Sequence, residues 1–129
     1  MRIAEAAAAA GTTEKALRYY ESIGLLPGVG RTASGYRDFD VEDVNRAAFI
    51  RRSRQAGMSL ERTAKILSAF DIGGDACTSV GVQLERQLGE LDRRIAELQG
   101  LRDAVAERYD AVKAADPAAC DHGQVCSYL

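Results

Sequence analysis

The 129-residue chain has no tryptophan, only eight aromatic residues, two prolines and a single histidine. With so few large rings, small aliphatic side chains must fill any core. Scarce proline and abundant alanine both favour helices. One histidine, no phosphate-cradling glycine loop and no Ser/His/Asp constellation leave no catalytic set to assemble, so the sequence does not read as an enzyme. No apolar run approaches the roughly 18 residues that would mark a membrane span. The Ala6–Ala10 run is too short for the core of a signal peptide. The chain is therefore expected to remain in the cytoplasm. Three cysteines, an odd number in a reducing compartment, argue against a disulfide framework and for free thiols or a metal site.

The net charge of −2 conceals an asymmetry. Residues 1–69 carry a net +3 and residues 70–129 a net −5. The basic half is the candidate phosphate-binding face. Its cations are mostly arginine, with fourteen Arg against three Lys in the whole chain. A guanidinium fork suits bidentate contacts to phosphate and guanine better than an ammonium does.

Punctuation residues divide the basic half into helices. Ile3–Ala10 is predicted as a short helix closed by Gly11. Thr12 or Thr13 then caps a second helix bearing Glu14 in its first turn, followed by Lys15, Arg18, Tyr19 and Tyr20. Gly24-Leu25-Leu26-Pro27 stops that helix and turns the chain. Gly28–Phe39, with three glycines, reads as a small hairpin with Gly35 at a tight turn. Asp40 caps a third helix with Asp43 three residues on, and Gly57 ends it. Val41, Val44, Ala47, Ala48, Ile50 and Ala56 supply its inner face, while Arg46, Arg51, Arg52 and Arg54 decorate the rest. Ser59 caps a fourth helix, Leu60–Phe70, and Asp71–Asp75 forms a linker where the charge changes sign.

The acidic half holds the clearest periodic signal. Leu84, Leu88, Leu91, Ile95, Leu98, Val105, Tyr109 and Val112 follow a 4-3-4-3 spacing with one missed step, where Arg102 occupies the seam beside Leu101. This heptad pattern predicts a helix about 42 Å long whose narrow apolar stripe needs a partner, as in a dimer seam. Asp116-Pro117 closes the helix, and the tail beyond carries Cys120, His122 and Cys126. Cys120-x5-Cys126 is a plausible chelating loop, since that spacing lets both sulfurs point at one soft or borderline ion.

The run Ala16-Leu17-Arg18-Tyr19-Tyr20-Glu21, then Gly24-Leu25-Leu26-Pro27, Gly35-Tyr36-Arg37 and Phe49–Arg54, resembles the MerR family of transcription regulators. The likeness covers essentially the whole chain. It implies an all-α fold: a winged helix-turn-helix with a small β wing, a second helical pair, and a long C-terminal helix forming an antiparallel coiled coil with its twin. The implied division is residues 1–70 for DNA binding, 71–76 as linker, 77–115 as dimerisation helix and 116–129 as metal-binding loop and tail. Thr13, Lys15, Arg18 and Tyr19 are implied to form the recognition face that enters the major groove. Arg31, Tyr36 and Arg37 are implied to form the wing that grips phosphates, with Arg54 a further backbone contact. The implied partners are double-stranded promoter DNA, a second copy of the chain, and RNA polymerase at the promoter.

The resemblance also speaks to the cysteines. Metal-sensing members carry a two-cysteine loop just after the long helix. Members that sense divalent soft ions have cysteine at the position of Cys77, whereas sensors of monovalent copper, silver or gold have serine there. Cys77 of one subunit is thus implied to join Cys120 and Cys126 of the other, with His122 or Asp121 as a candidate further ligand. The expected ion is divalent zinc, cadmium, lead or mercury, and the expected role is activation by distorting promoter DNA. A copper-type sensor on the same fold, a thiol redox sensor using a Cys120–Cys126 disulfide, and a coiled-coil adaptor that binds no DNA are the rival readings.

Overall fold

The computed structural model describes Met1–Leu129 as two compact units, Met1–Glu85 and Arg86–Leu129. The first holds α1 (Ile3–Ala10), α2 (Glu14–Ser22), β1 (Gly30–Arg31), β2 (Arg37–Asp38), α3 (Val41–Gln55) and α4 (Leu60–Asp71), together with the first turns of α5 (Ala76–Ala114).

Alanine does most of the early packing. Ala6, Ala7 and Ala10 on one face of α1 are buried, and α1 packs against both α2 and α3. Gly11 ends α1 with φ +70°, and its N–H reaches the Ala7 and Ala8 carbonyls. A left-handed residue that satisfies orphan carbonyls in this way costs least as glycine. Thr13 caps α2, its hydroxyl oxygen accepting from Ala16 N at 3.0 Å. Beyond Gly24, Leu25 and Leu26 drop into the core beside Leu17, Phe39, Ala47, Ile50 and Leu67.

The predicted hairpin is present but minimal. Each strand has two residues, paired antiparallel as Gly30 with Asp38 and Arg31 with Arg37. Gly35, at φ +85°, turns the chain between Thr32 and Tyr36. Asp40 and Asp43 then form a reciprocal capping box at the start of α3, with bonds of 2.8 and 2.9 Å. Burial pushes the Asp43 carboxyl above its ordinary range, against the backbone bond from Asp40, which lowers it. Ser59 caps α4 through Arg62 N.

Two of the four α3 arginines expected on the surface are struts instead. Arg51 Nε donates to the Ala10 carbonyl at 3.0 Å. Arg46 Nε donates to the Leu25 carbonyl at 2.6 Å, and its two Nη groups grip the Asp71 carboxylate at 2.6 and 2.9 Å. Arg46 thereby ties the turn after α2 to the last residue of α4.

α5 is a single 39-residue helix. Asp75 precedes it and accepts from Cys77 N, Thr78 N and Thr78 Oγ1. In the second unit Leu88, Leu91, Ile95, Leu98, Leu101, Val105, Tyr109 and Val112 are all exposed, Leu98 at 65%. An apolar stripe of this length left open to water is the expected state of one half of a coiled coil. After Ala114 the chain passes through a 3-10 turn at Pro117–Ala119, started by Asp116, into the cysteine-bearing tail. No helix is long and apolar enough to cross a membrane.

Candidate functional site

The α2 residues expected to meet DNA lie on its outer side. Lys15, Arg18 and Tyr19 are exposed, while Leu17 is buried and Tyr20 packs against the core. Arg18 makes no ion pair with Glu14 or Glu21, so its guanidinium stays available. Thr13 is exposed, and with its oxygen accepting the α2 cap bond it keeps the hydroxyl proton and one lone pair for a further partner.

The wing residues are more constrained. Tyr36 is 57% exposed, and the Arg2 guanidinium lies 4.2 Å from its ring centre. Arg31 Nη2 and Arg37 Nε both donate to one oxygen of Glu21, Oε1, at 3.4 and 2.9 Å. The wing cations are therefore pinned to α2. Arg54 is exposed on α3 and donates to the Met58 carbonyl at 3.2 Å. The sequence reading missed the roles of Arg2, Glu21 and Arg46. The one available sign for Glu21 was an acid standing between cationic positions.

The tail has different chemistry. Cys120 and Cys126 are half-buried free thiols, and Cys77 is an exposed one on the first turn of α5. Cys120 Sγ lies 3.6 Å from Ser127 Oγ. Hydrogen bonding from the Ser127 backbone, and then from its hydroxyl, holds the Cys120 thiol below its ordinary value and favours the thiolate. His122 is exposed. No three His, Cys, Asp or Glu side chains of the single chain come together. The donor types fit a soft ion, but one protomer does not gather three of them.

The sequence profile of the MerR HTH family regulatory proteins matches residues 1–69, and that of the MerR DNA-binding region matches residues 44–108. The chain belongs to the MerR family. Members are homodimeric DNA-binding transcription regulators, so this chain is one of them and not an enzyme. Among MerR relatives, the uncharacterized HTH-type transcriptional regulator PA4778 of Pseudomonas aeruginosa is 44% identical over 107 residues, spanning 83% of this chain and 81% of that one. A Haemophilus influenzae protein named "Probable heavy metal-dependent transcriptional regulator" is 33% identical over 120 residues, spanning 93% of this chain and 94% of that one. Among solved structures, the transcription regulator PbrR691 of Ralstonia metallidurans, in complex with lead(II), is 27% identical. It aligns over 100% of this chain and 96% of its own with a TM-score of 0.74. That structural likeness runs the length of the chain, whereas the family profiles end at residue 108.

Proposed function

We propose that this MerR protein is a metal-responsive transcription activator that senses a divalent soft ion through thiolates drawn from both protomers of its dimer. Residues 1–70 bind DNA, 71–76 link, 77–115 dimerise and 116–129 carry the metal loop. Cys77 of one protomer meets Cys120 and Cys126 of the partner across an antiparallel pair of α5 helices, with His122 as a candidate fourth ligand. The observation that carries this reading is the split donor set. Three free thiols fall at the two ends of one long helix and its tail, and a single chain brings no three donors together. The relatives named for heavy metals and for lead(II) support the class of ligand.

When bound, the ion supplies a cross-link between chains that favours whichever dimer state holds its ligands best. The protein's own groups do the remaining work. Arg18, Lys15, Tyr19 and Thr13 face the major groove, and Arg31, Tyr36, Arg37 and Arg54 hold the backbone. The two DNA-binding heads bend and undertwist the promoter so that the elements read by RNA polymerase realign, a regulation by duplex shape that needs no new base contact. A chromosomal partner places the protein in the cytoplasm.

The test is a titration of reduced protein with Zn(II), Cd(II), Pb(II) and Hg(II), followed by thiolate charge-transfer absorption and X-ray absorption at the metal. One sulfur-rich site per end of the dimer is expected, lost in Cys77→Ser. A band that survives Cys77→Ser rules out the shared site and leaves Cys120 and Cys126 alone as ligands, as in the copper-type reading; reduced protein that forms no band with any ion favours the redox switch.

A further inference from the structure

An acid on a DNA-binding face needs a reason. Glu21 stands on α2 among the groups assigned to phosphate, where a bare carboxylate would repel the duplex. Its Oε1 instead accepts from Arg37 Nε at 2.9 Å and from Arg31 Nη2 at 3.4 Å, linking residues 16 and 10 positions away. The wing it holds is a ribbon of two residues per strand, and an isolated two-stranded ribbon of that size has almost no stability of its own. Nothing inside the ladder can fix how the wing points. The fixing groups come from outside: Glu21 on the two arginines, Arg2 stacked on Tyr36, and the Met1 ammonium on Asp38 at 2.9 Å.

The bonding pattern also leaves both arginines usable. Arg37 spends only Nε on Glu21, so its two terminal nitrogens remain as donors. Arg31 spends one Nη and keeps the rest. A guanidinium anchored through part of its fork is ordered before the phosphate arrives, so less conformational freedom is lost on binding. We infer that Glu21 is a positioning residue for DNA recognition: it sets the wing arginines in register with the recognition helix, and so supports specific binding although its charge opposes phosphate. The inference rests on the wing assignment of Arg31 and Arg37 made above.

The sign of the effect separates positioning from plain charge. A duplex selected by the wild-type protein from a random-sequence pool and a scrambled duplex of equal length are titrated with full-length protein over a range of KCl. In Glu21→Gln, affinity for the scrambled duplex rises because a negative charge has gone, while affinity for the selected duplex falls about fivefold, so the specificity ratio drops. Glu21→Asp keeps the charge but shortens the reach by one methylene. It lowers specific affinity without raising the scrambled affinity, and this variant decides the matter should Glu21→Gln disturb folding. Both affinities rising together in Glu21→Gln would show mere repulsion and overturn the inference. In an Arg31→Ala/Arg37→Ala background, Glu21→Gln leaves the ratio unchanged, because Glu21 acts through those side chains. A ratio that still falls there overturns the inference alone. If the double arginine variant binds DNA as the wild type does, the wing assignment itself fails.

Discussion

Replacing Arg46 by alanine removes three hydrogen bonds of different worth, and the structure says how the loss divides. The guanidinium is 16% exposed and donates through Nε to the carbonyl of buried Leu25, while Asp71 on its other side is 44% exposed. A buried carbonyl left without its donor costs about 1–3 kcal/mol. The ion pair to a half-exposed carboxylate is screened by water and contributes about 1 kcal/mol at most, despite its bidentate geometry. Arg46→Ala is therefore expected to destabilise by about 2–3 kcal/mol, and Asp71→Asn, which leaves the Leu25 bond intact, by less than about 1 kcal/mol. Urea denaturation followed by circular dichroism, at one fixed protomer concentration because dimers couple stability to mass action, measures both. The pair also carries a pH signature. Its bond to Arg46 lowers the Asp71 carboxyl from 3.8, so the folded state binds this proton less tightly than the unfolded chain does. That contribution is present in full above 3.8 and is lost as pH falls through the lower folded value. Wild type and Asp71→Asn should converge in strongly acidic buffer. Equal losses in Arg46→Ala and Asp71→Asn at neutral pH would refute the claim that the Leu25 carbonyl carries the larger share.

Three shorter expectations accompany it. Arg18→Ala should weaken binding to the selected duplex about tenfold, and reduce the salt slope by about 1 if it contacts one phosphate, with metal affinity nearly unchanged. Loss of both functions together would instead mark Arg18 as a support of the fold. Leu91→Asp with Leu98→Asp places two carboxylates in the α5 seam and should give a monomer by sedimentation equilibrium, with promoter binding lost; a persisting dimer would place the interface elsewhere. Asp40→Ala breaks the capping box of α3 and should cost about 1–2 kcal/mol in the same denaturation assay, an effect absent if Asp43 alone holds that helix end.

The helices were legible because their ends are written in side chains. Gly11 after an alanine run, Thr13, Asp40 and Ser59 each stand where a backbone group needs a cap, and each is found there. The heptad leucines announced α5 because period is a property of sequence alone. The wing was legible as a turn at Gly35 but not in extent, since strand length depends on which partner residues close the ladder. The tertiary struts were not legible. Arg46 and Arg51 look like their neighbours Arg52 and Arg54, and what singles them out is a backbone carbonyl far along the chain, at Leu25 or Ala10, where Arg54 reaches only the nearby Met58. Glu21 was readable only as a neighbour of Arg18, because its true partners lie across a turn whose path the sequence does not specify. The cysteines were visible as chemistry, whereas whether they meet was not: the single chain gathers no three such donors.

Arg102, the cation that interrupts the leucine stripe of α5, bears on which alignments two such helices can adopt. Its guanidinium lies 3.4 Å from the adjacent Asp103, and both groups are well exposed in the single chain. Interchangeable leucines would let paralogous subunits mix, or slide by a heptad, at little cost. A lone charge in the stripe penalises every alignment that buries it without an acid or water opposite. In a pair of such helices, a cation at this step would favour the alignment that sets an acid or water against it over those that bury it.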